Sequence, residues 1–315
     1  MKLSNRQVIY SLKNESAQRH TGEYFQILQV NSKYHLYYCS ENRLKVAISD
    51  SLSFLNSQPS VILEHCPGGC FCIIQEDNGL FMLCGAHKSN KEDNEIEIPD
   101  LVWPPSKLVT DHTTKRNDRK NGMYLLMSQD GICWKPCHET PVLHASVSSE
   151  SCSLGEVGFD TSPCLIKKDD QFYYYGRLNS SLDERRIYLR KSKDLMNWSA
   201  PERISVTNEN QNNLKKNYYN PVVFSYNSYI LMLTPYFESC GTENRHSTEG
   251  KTLLLRSDDG LCWEIIDSCL PHQGKYKHRV NDIHIQDDSL LVFYRENIPE
   301  SRQNLVSFNL ELETL

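Results

Sequence analysis

The chain has 315 residues, 39% of them hydrophobic and 10% aromatic, with 17 tyrosines and a formal net charge of −6. That is the composition of a globular protein rich in strand formers, and it argues against intrinsic disorder. The acidic balance argues against a dedicated nucleic-acid binder, whose footprint is a basic face, and no apolar run reaches the roughly 20 residues of a membrane-spanning helix, so neither partner is expected.

In chain order, Met1 to Gln7 lack the apolar core of a secretory signal. The expected compartment is the cytoplasm, with a secreted mature form as the alternative. Val8-Ile9-Tyr10 is a short apolar run able to pair with the end of the chain. Glu23 to Tyr38 then reads as an extended segment, a polar turn and a second strand rich in aromatic and β-branched residues, the pattern of a hairpin. The pattern recurs in Gly69 to Gly85, around the turn Asp77-Asn78-Gly79, and again in Asp160 to Tyr175, Asn220 to Leu233 and Asp282 to Tyr294. Aligned on their second strands, the five place Tyr34, Phe81, Phe172, Tyr229 and Leu290 at one position. Residues 88–121, acidic and then basic, are unlike the rest and read as an insertion in the second unit. The last strand, Val306 to Leu312, alternates apolar and polar residues, and pairing it with Val8 to Tyr10 would close a ring and remove two open edges.

A second repeat is superimposed on the first. Ser128-Gln129-Asp130-Gly131-Ile132-Cys133-Trp134 is echoed by Ser192 to Trp198 and Ser257 to Trp263, and Ser49 to Phe54 is a degenerate copy. The three tryptophans are 64 and 65 residues apart, so the chain holds about five such periods. Self-similarity at a fixed period marks units that bury their apolar faces only by stacking on neighbours. The expected fold is therefore all-β, a single five-bladed β-propeller of four-stranded antiparallel blades around a central pocket, spanning 1–315 with blades starting near 22, 69, 159, 219 and 281. In the motif, Ser and Asp side chains fix a tight turn, Gly supplies positive φ and Trp covers the seam to the next sheet. Cys133 and Cys262, each just before Trp, are expected to pack.

Of the 12 cysteines, Cys66, Cys70, Cys72 and Cys84 lie near His65 and His87. Their spacing lacks the paired knuckles of a zinc site, and Cys70 and Cys72 fall on one face of a buried strand, where cysteine acts as a small hydrophobe. No metal and no cofactor are expected.

In a propeller the innermost strands converge on the axis, so equivalent residues of different blades face one pocket. The hairpin alignment brings Glu23, Asp160, Tyr218 to Asn220 and Arg279 to Asp282 to its mouth. Carboxylates converging from different blades are what glycoside hydrolysis requires: an acid for the leaving oxygen and a base or nucleophile opposite. Glu23 and Asp160 fit.

With those residues in view, the whole chain resembles the five-bladed propeller glycosidases of families 43 and 32, the arabinanase, xylosidase and invertase group. The pieces that carry the resemblance are Phe159 to Pro163, Gln171 to Gly176, and Ser192 to Trp198 with Ser199-Ala200-Pro201 following. The resemblance implies that Asp160 tunes the acid or stabilises the transition state and that Glu23 is the base or nucleophile, although those families normally have Asp there, in a Pro-containing context. The family acid is a Glu two residues before Pro, where this chain has Tyr219 ahead of Asn220-Pro221. A tyrosine, with a pKa of about 10, is a poor proton donor at neutral pH. Either another acid substitutes, with Glu238 and Glu243 as candidates, or the standard reaction is absent.

Asp282 and His284 alternate on the strand that opens the fifth hairpin and so either face the pocket or serve as a turn cap and a core histidine. Arg177 either holds a sugar hydroxyl or carboxylate or pairs with Asp183 or Glu184. Tyr218, Tyr219 and Tyr236 either stack on a sugar ring or pack in the core. The expected catalytic set is Asp160, Glu23 and Glu238, with Arg177, Tyr219, Asn220, Asp282 and His284 binding a carbohydrate. The expected activity is glycoside hydrolysis; the alternatives are a non-catalytic glycan-binding propeller and a glycosyl-transferring or phosphorolytic relative.

Overall fold

The computed structural model describes residues 2–12, 24–40, 43–64, 70–85, 122–138, 141–144, 156–158, 162–181, 184–209, 214–239, 250–272, 278–286, 289–297 and 303–311. Strand β1 (Lys2–Ser11) is followed by a sheet of β2 (Phe25–Val30), β3 (Lys33–Ser40), β4 (Arg43–Ser49) and β5 (Ser60–Leu63), which is blade 1. Blade 2 is β6 (Phe71–Glu76), β7 (Gly79–Gly85) and β8 (Gly122–Ser128), edged by the short β9 (Lys135–Pro136) and β10 (Leu143–His144). In blade 3, β11 (Glu156–Gly158) and β12 (Cys164–Lys168) both pair with β13 (Gln171–Ser181), and β14 (Glu184–Ser192) and β15 (Glu202–Arg203) follow.

A connecting strand, β16 (Ser205–Thr207), joins the outer edge of blade 4, and its pairing there is parallel. Blade 4 itself is built from β17 (Lys215–Tyr218) and β18 (Val222–Tyr226), both on β19 (Tyr229–Ser239), then β20 (Gly250–Ser257) and β21 (Cys262–His272). Blade 5 is β22 (His278–Gln286), β23 (Ser289–Asn297) and β24 (Gln303–Glu311), and its outermost strand is β1. Val8 pairs with Val306 and Tyr10 with Leu305. The two ends of the described chain thus share one sheet and close the five-bladed propeller, as the alternating end strand predicts.

Each inner hairpin turns in two residues, and Asn31-Ser32 and Asp169-Asp170 adopt positive φ at both positions, the turn whose twist suits adjoining strands. Equal turns fix equal registers, which makes Tyr34, Leu80, Phe172, Ile230 and Leu290 equivalent. The sequence alignment is therefore one residue late at Phe81 and one residue early at Tyr229. A one-residue slip exchanges the two faces of a strand: Leu80 and Ile230 are buried, whereas Phe81 and Tyr229 are only partly so.

The core is divided among five seams, one between each pair of neighbouring blades. Trp134, Trp198 and Trp263 cover three of them, and Phe54 of the degenerate motif fills the seam between blades 5 and 1. The turn chemistry is local. Asp130 Oδ1 accepts the amides of Ile132 and Cys133, each at 2.8 Å, and those bonds hold its carboxyl down at about 2. Asp194 and Asp259 repeat the arrangement. Cys133 and Cys262 are exposed, not packed as expected. What the turn takes from them is the backbone N–H. Cys70 and Cys72 share the seam between blades 2 and 3, while Cys84 faces the opposite seam, so the strands separate these thiols. His65, Cys66, His87 and the 88–121 insertion lie outside the described residues.

Candidate functional site

The five inner strands, β2, β6, β12, β18 and β22, line an axial cavity of about 500 Å³. The shared register gives Gln26, Cys72, Cys164, Val222 and Asp282 the same place in their strands. Three of the five clasp the neighbouring blade through its backbone. Gln26 Nε2 donates to Ile73 O at 2.8 Å while its Oε1 accepts Ile73 N, also at 2.8 Å. The Cys164 thiol spans Val223 in the same two-point way, at 3.4 and 3.2 Å. Asp282 Oδ2 accepts Ile27 N at 2.5 Å and Oδ1 accepts Ile283 N at 2.9 Å.

Burial raises the Asp282 carboxyl to about 7 against the opposing pull of those two amides. It therefore titrates near neutrality inside the cavity wall. His284, two residues on, also lines the cavity and meets the Tyr34 ring edge-on at 5.9 Å, and burial lowers its pKa. At the end of the cavity where the inner strands finish, Glu76 of blade 2 pairs with Lys167 of blade 3.

The opposite mouth is where the inner strands begin. Tyr219 there is buried and stacks on Phe237 with centroids 5.5 Å apart; its N–H donates to Pro235 O and its carbonyl accepts the Thr234 hydroxyl. Those bonds hold the turn in which Asn220 adopts a φ of 42°. Asn220 is 2% exposed and is not in the cavity lining, and among the described residues neither atom of its side-chain amide has a hydrogen-bond partner. An unpaired buried amide costs about 1–3 kcal/mol unless something meets it. Pro221, next in the chain, lines the cavity.

Arg177 is half-buried on β13 opposite Gly158, at the same mouth but not in the cavity lining. Glu238 is not in that lining either; with Tyr236 it borders a second recess above the seam of blades 3 and 4. Glu23, Asp160 and Glu243 lie outside the described residues, each of the first two within two residues of a described strand approach, at Tyr24 and Ser162. Gln26 escaped the sequence reading. Its signal was an amide set among Phe25, Ile27 and Leu28, visible once the hairpins are aligned on their two-residue turns.

With this geometry fixed, likeness to solved structures is informative. A thermostable family-43 glycoside hydrolase superposes with a TM-score of 0.56 at 16% identity, over 97% of this chain and 94% of that one. The fold is that of the family-43 and family-32 glycosidases. An α-L-arabinanase of Penicillium chrysogenum, complexed with arabinobiose, matches over 100% of both chains at 11% identity and a TM-score of 0.55. The GH32 β-fructofuranosidase of Bombyx mori matches over 94% of this chain and 63% of its own, at 14% identity and a TM-score of 0.55. At these identities the likeness is one of fold. No family model matches the sequence, and no curated protein matches it either.

Proposed function

We propose that this chain is a carbohydrate-active propeller, and specifically a glycoside hydrolase whose axial cavity receives a terminal sugar unit. The observation that carries the reading is a cavity of about 500 Å³ walled by all five inner strands; in sequence, Glu23 stands directly before and Asp160 two residues before the described segments of blades 1 and 3 that lead into those strands. Glu23 serves as base or nucleophile, and Asp160 tunes the proton donor or steadies the charge that builds on the sugar. In this reading the Asn220 amide, unpaired among the described residues, meets a hydroxyl beside the mouth, with Asp282 and His284 on the cavity wall and Arg177 behind the rim.

The test is sugar release from a panel of aryl glycosides and of arabino- and fructo-oligosaccharides of two and five units, the sugars of the structural neighbours. Asp160→Asn should abolish release while the melting temperature stays nearly the same. Undiminished release by that variant would refute the assignment.

A second reading, a glycan-binding propeller without turnover, is favoured by Tyr219. Where the resemblance calls for a Glu, its ring is buried against Phe237. This reading expects panel sugars to raise the melting temperature with no product formed, and any release dependent on Asp160 removes it.

A further inference from the structure

The recess that borders Glu238 belongs to the same mouth of the propeller as Asn220. In the pairing of β19 with β18, Leu233 lies opposite Val222, the first residue of β18. Residues 236–238 therefore run past that start, to the end of the blade where Tyr219 to Pro221 enter. Side chains alternate along this stretch. Phe237 stacks on Tyr219, while Tyr236 packs against Tyr218 at 5.0 Å in the seam between blades 3 and 4.

On that seam the structure leaves a cavity of about 330 Å³ bordered by Asn208, Tyr236, Glu238, Lys251 and Asp267, over an apolar floor that includes Leu253 and Ile265. Its size falls at the lower end of ligand pockets, about 300–1,000 Å³. Its polar wall is held in place before any ligand arrives. Tyr236 Oη donates to Glu238 Oε1 at 2.7 Å, and Tyr218 Oη donates to Glu209 Oε1 at 2.5 Å. Arg186 Nη1 meets that same Glu209 oxygen at 2.6 Å. Burial, and then these carboxylates, keep both tyrosine hydroxyls protonated. The Glu238 carboxylate, the Lys251 ammonium and the Asn208 amide above aliphatic side chains match a sugar ring: acceptors for its hydroxyls, donors for its oxygens and an apolar surface for its C–H face.

We infer that this recess is an outer sugar subsite, so that the ligand is an oligosaccharide with one unit in the axial cavity and a further unit over the seam of blades 3 and 4. The inference rests on the carbohydrate reading above. It assigns Glu238 to binding, not to proton donation.

The test is calorimetric binding of the arabino- and fructo-oligosaccharides of two and five units to the full chain carrying Asp160→Asn, which prevents cleavage. The five-unit member of one series should bind at least about tenfold more tightly than its two-unit member, roughly 1.4 kcal/mol. Adding Glu238→Gln and Lys251→Met should bring that ratio to within about twofold. A ratio already near one, or one that the added substitutions leave in place, overturns the subsite while sugar binding stands. No binding by any member overturns the carbohydrate reading and this inference together. In the otherwise unaltered chain, Glu238→Gln should raise KM for the longer substrate with kcat retained. Loss of kcat on both lengths alike would make Glu238 the proton donor and overturn the assignment.

Discussion

The seams on either side of blade 2 are closed by different residues around the same turn. Between blades 1 and 2, the hydroxyl of Tyr37 donates to Gly131 O at 3.1 Å and Trp134 Nε1 donates to the same carbonyl at 3.2 Å. Between blades 3 and 4 the trio is Tyr175, Gly260 and Trp263, at 3.1 and 3.0 Å. Between blades 2 and 3, the register puts Leu83 where the others have Tyr, and Leu195 stands where the others have Gly. A Cβ on Gly131 would lie 2.4 Å from the Tyr37 hydroxyl, and one on Gly260 would lie 2.5 Å from that of Tyr175. A seam that receives a tyrosine hydroxyl therefore requires glycine, whereas one that receives leucine gains from a second leucine. Leu195 is only 3% exposed and keeps the left-handed turn, φ 63°, while Trp198 Nε1 still reaches its carbonyl at 2.9 Å. The turn is shared, and its contact residues change as a pair.

The strongest challenge to this pairing is Gly131→Leu, which adds a clash with Tyr37 to the strain of a left-handed leucine and should lower stability by about 3–5 kcal/mol in urea unfolding. Tyr37→Leu in the same chain should restore about half of that loss. A double variant no more stable than Gly131→Leu alone would mean that the two positions are not coupled. The opposite exchange, Leu195→Gly, should cost less, about 2 kcal/mol. The cavity it leaves is worth about 2–4 kcal/mol, and release of the left-handed side chain returns about 1–2. If Leu195→Gly proved the costlier of the two, the steric account would fail.

The smallest effect concerns the inner edge, where Gln26 clasps blade 2 with a neutral amide and Asp282 clasps blade 1 with an acid. The Asp282 carboxyl is raised to about 7 by burial, from about 3.9 in an unfolded chain, so the native state favours its protonated form. That contribution is complete below about pH 4 and is lost as pH rises toward 7. Asp282→Asn still accepts the Ile27 amide but carries no charge to bury. It should be the more stable protein at pH 8 by about 1–2 kcal/mol, the full linkage being reduced by water in the cavity, and the advantage should vanish near pH 4. Thermal unfolding across that range checks it; an advantage independent of pH would exclude titration as the cause.

What was legible in the sequence is what depends on neighbours along the chain. The Ser and Asp of each motif bond amides two and three residues away, and each inner hairpin turns in two residues, so the repeat, the strand pairs and the closing strand from Val8 to Tyr10 follow from local chemistry. The sequence also carried Asp282 and His284 to the inner strand of blade 5. Position relative to other blades followed a different logic. Whether Cys133 packs, which face Phe81 shows and whether Glu238 borders the axis or a seam all depend on rigid sheets meeting at set angles, and nothing in the spacing of those residues encodes it. The clasp from Gln26 to Ile73 likewise exists only because two separate sheets place equivalent strands side by side, with a backbone N–H and C=O left open at the edge. Tertiary structure decides such contacts because an inner edge has no partner within its own blade, and the partner it finds belongs to the next.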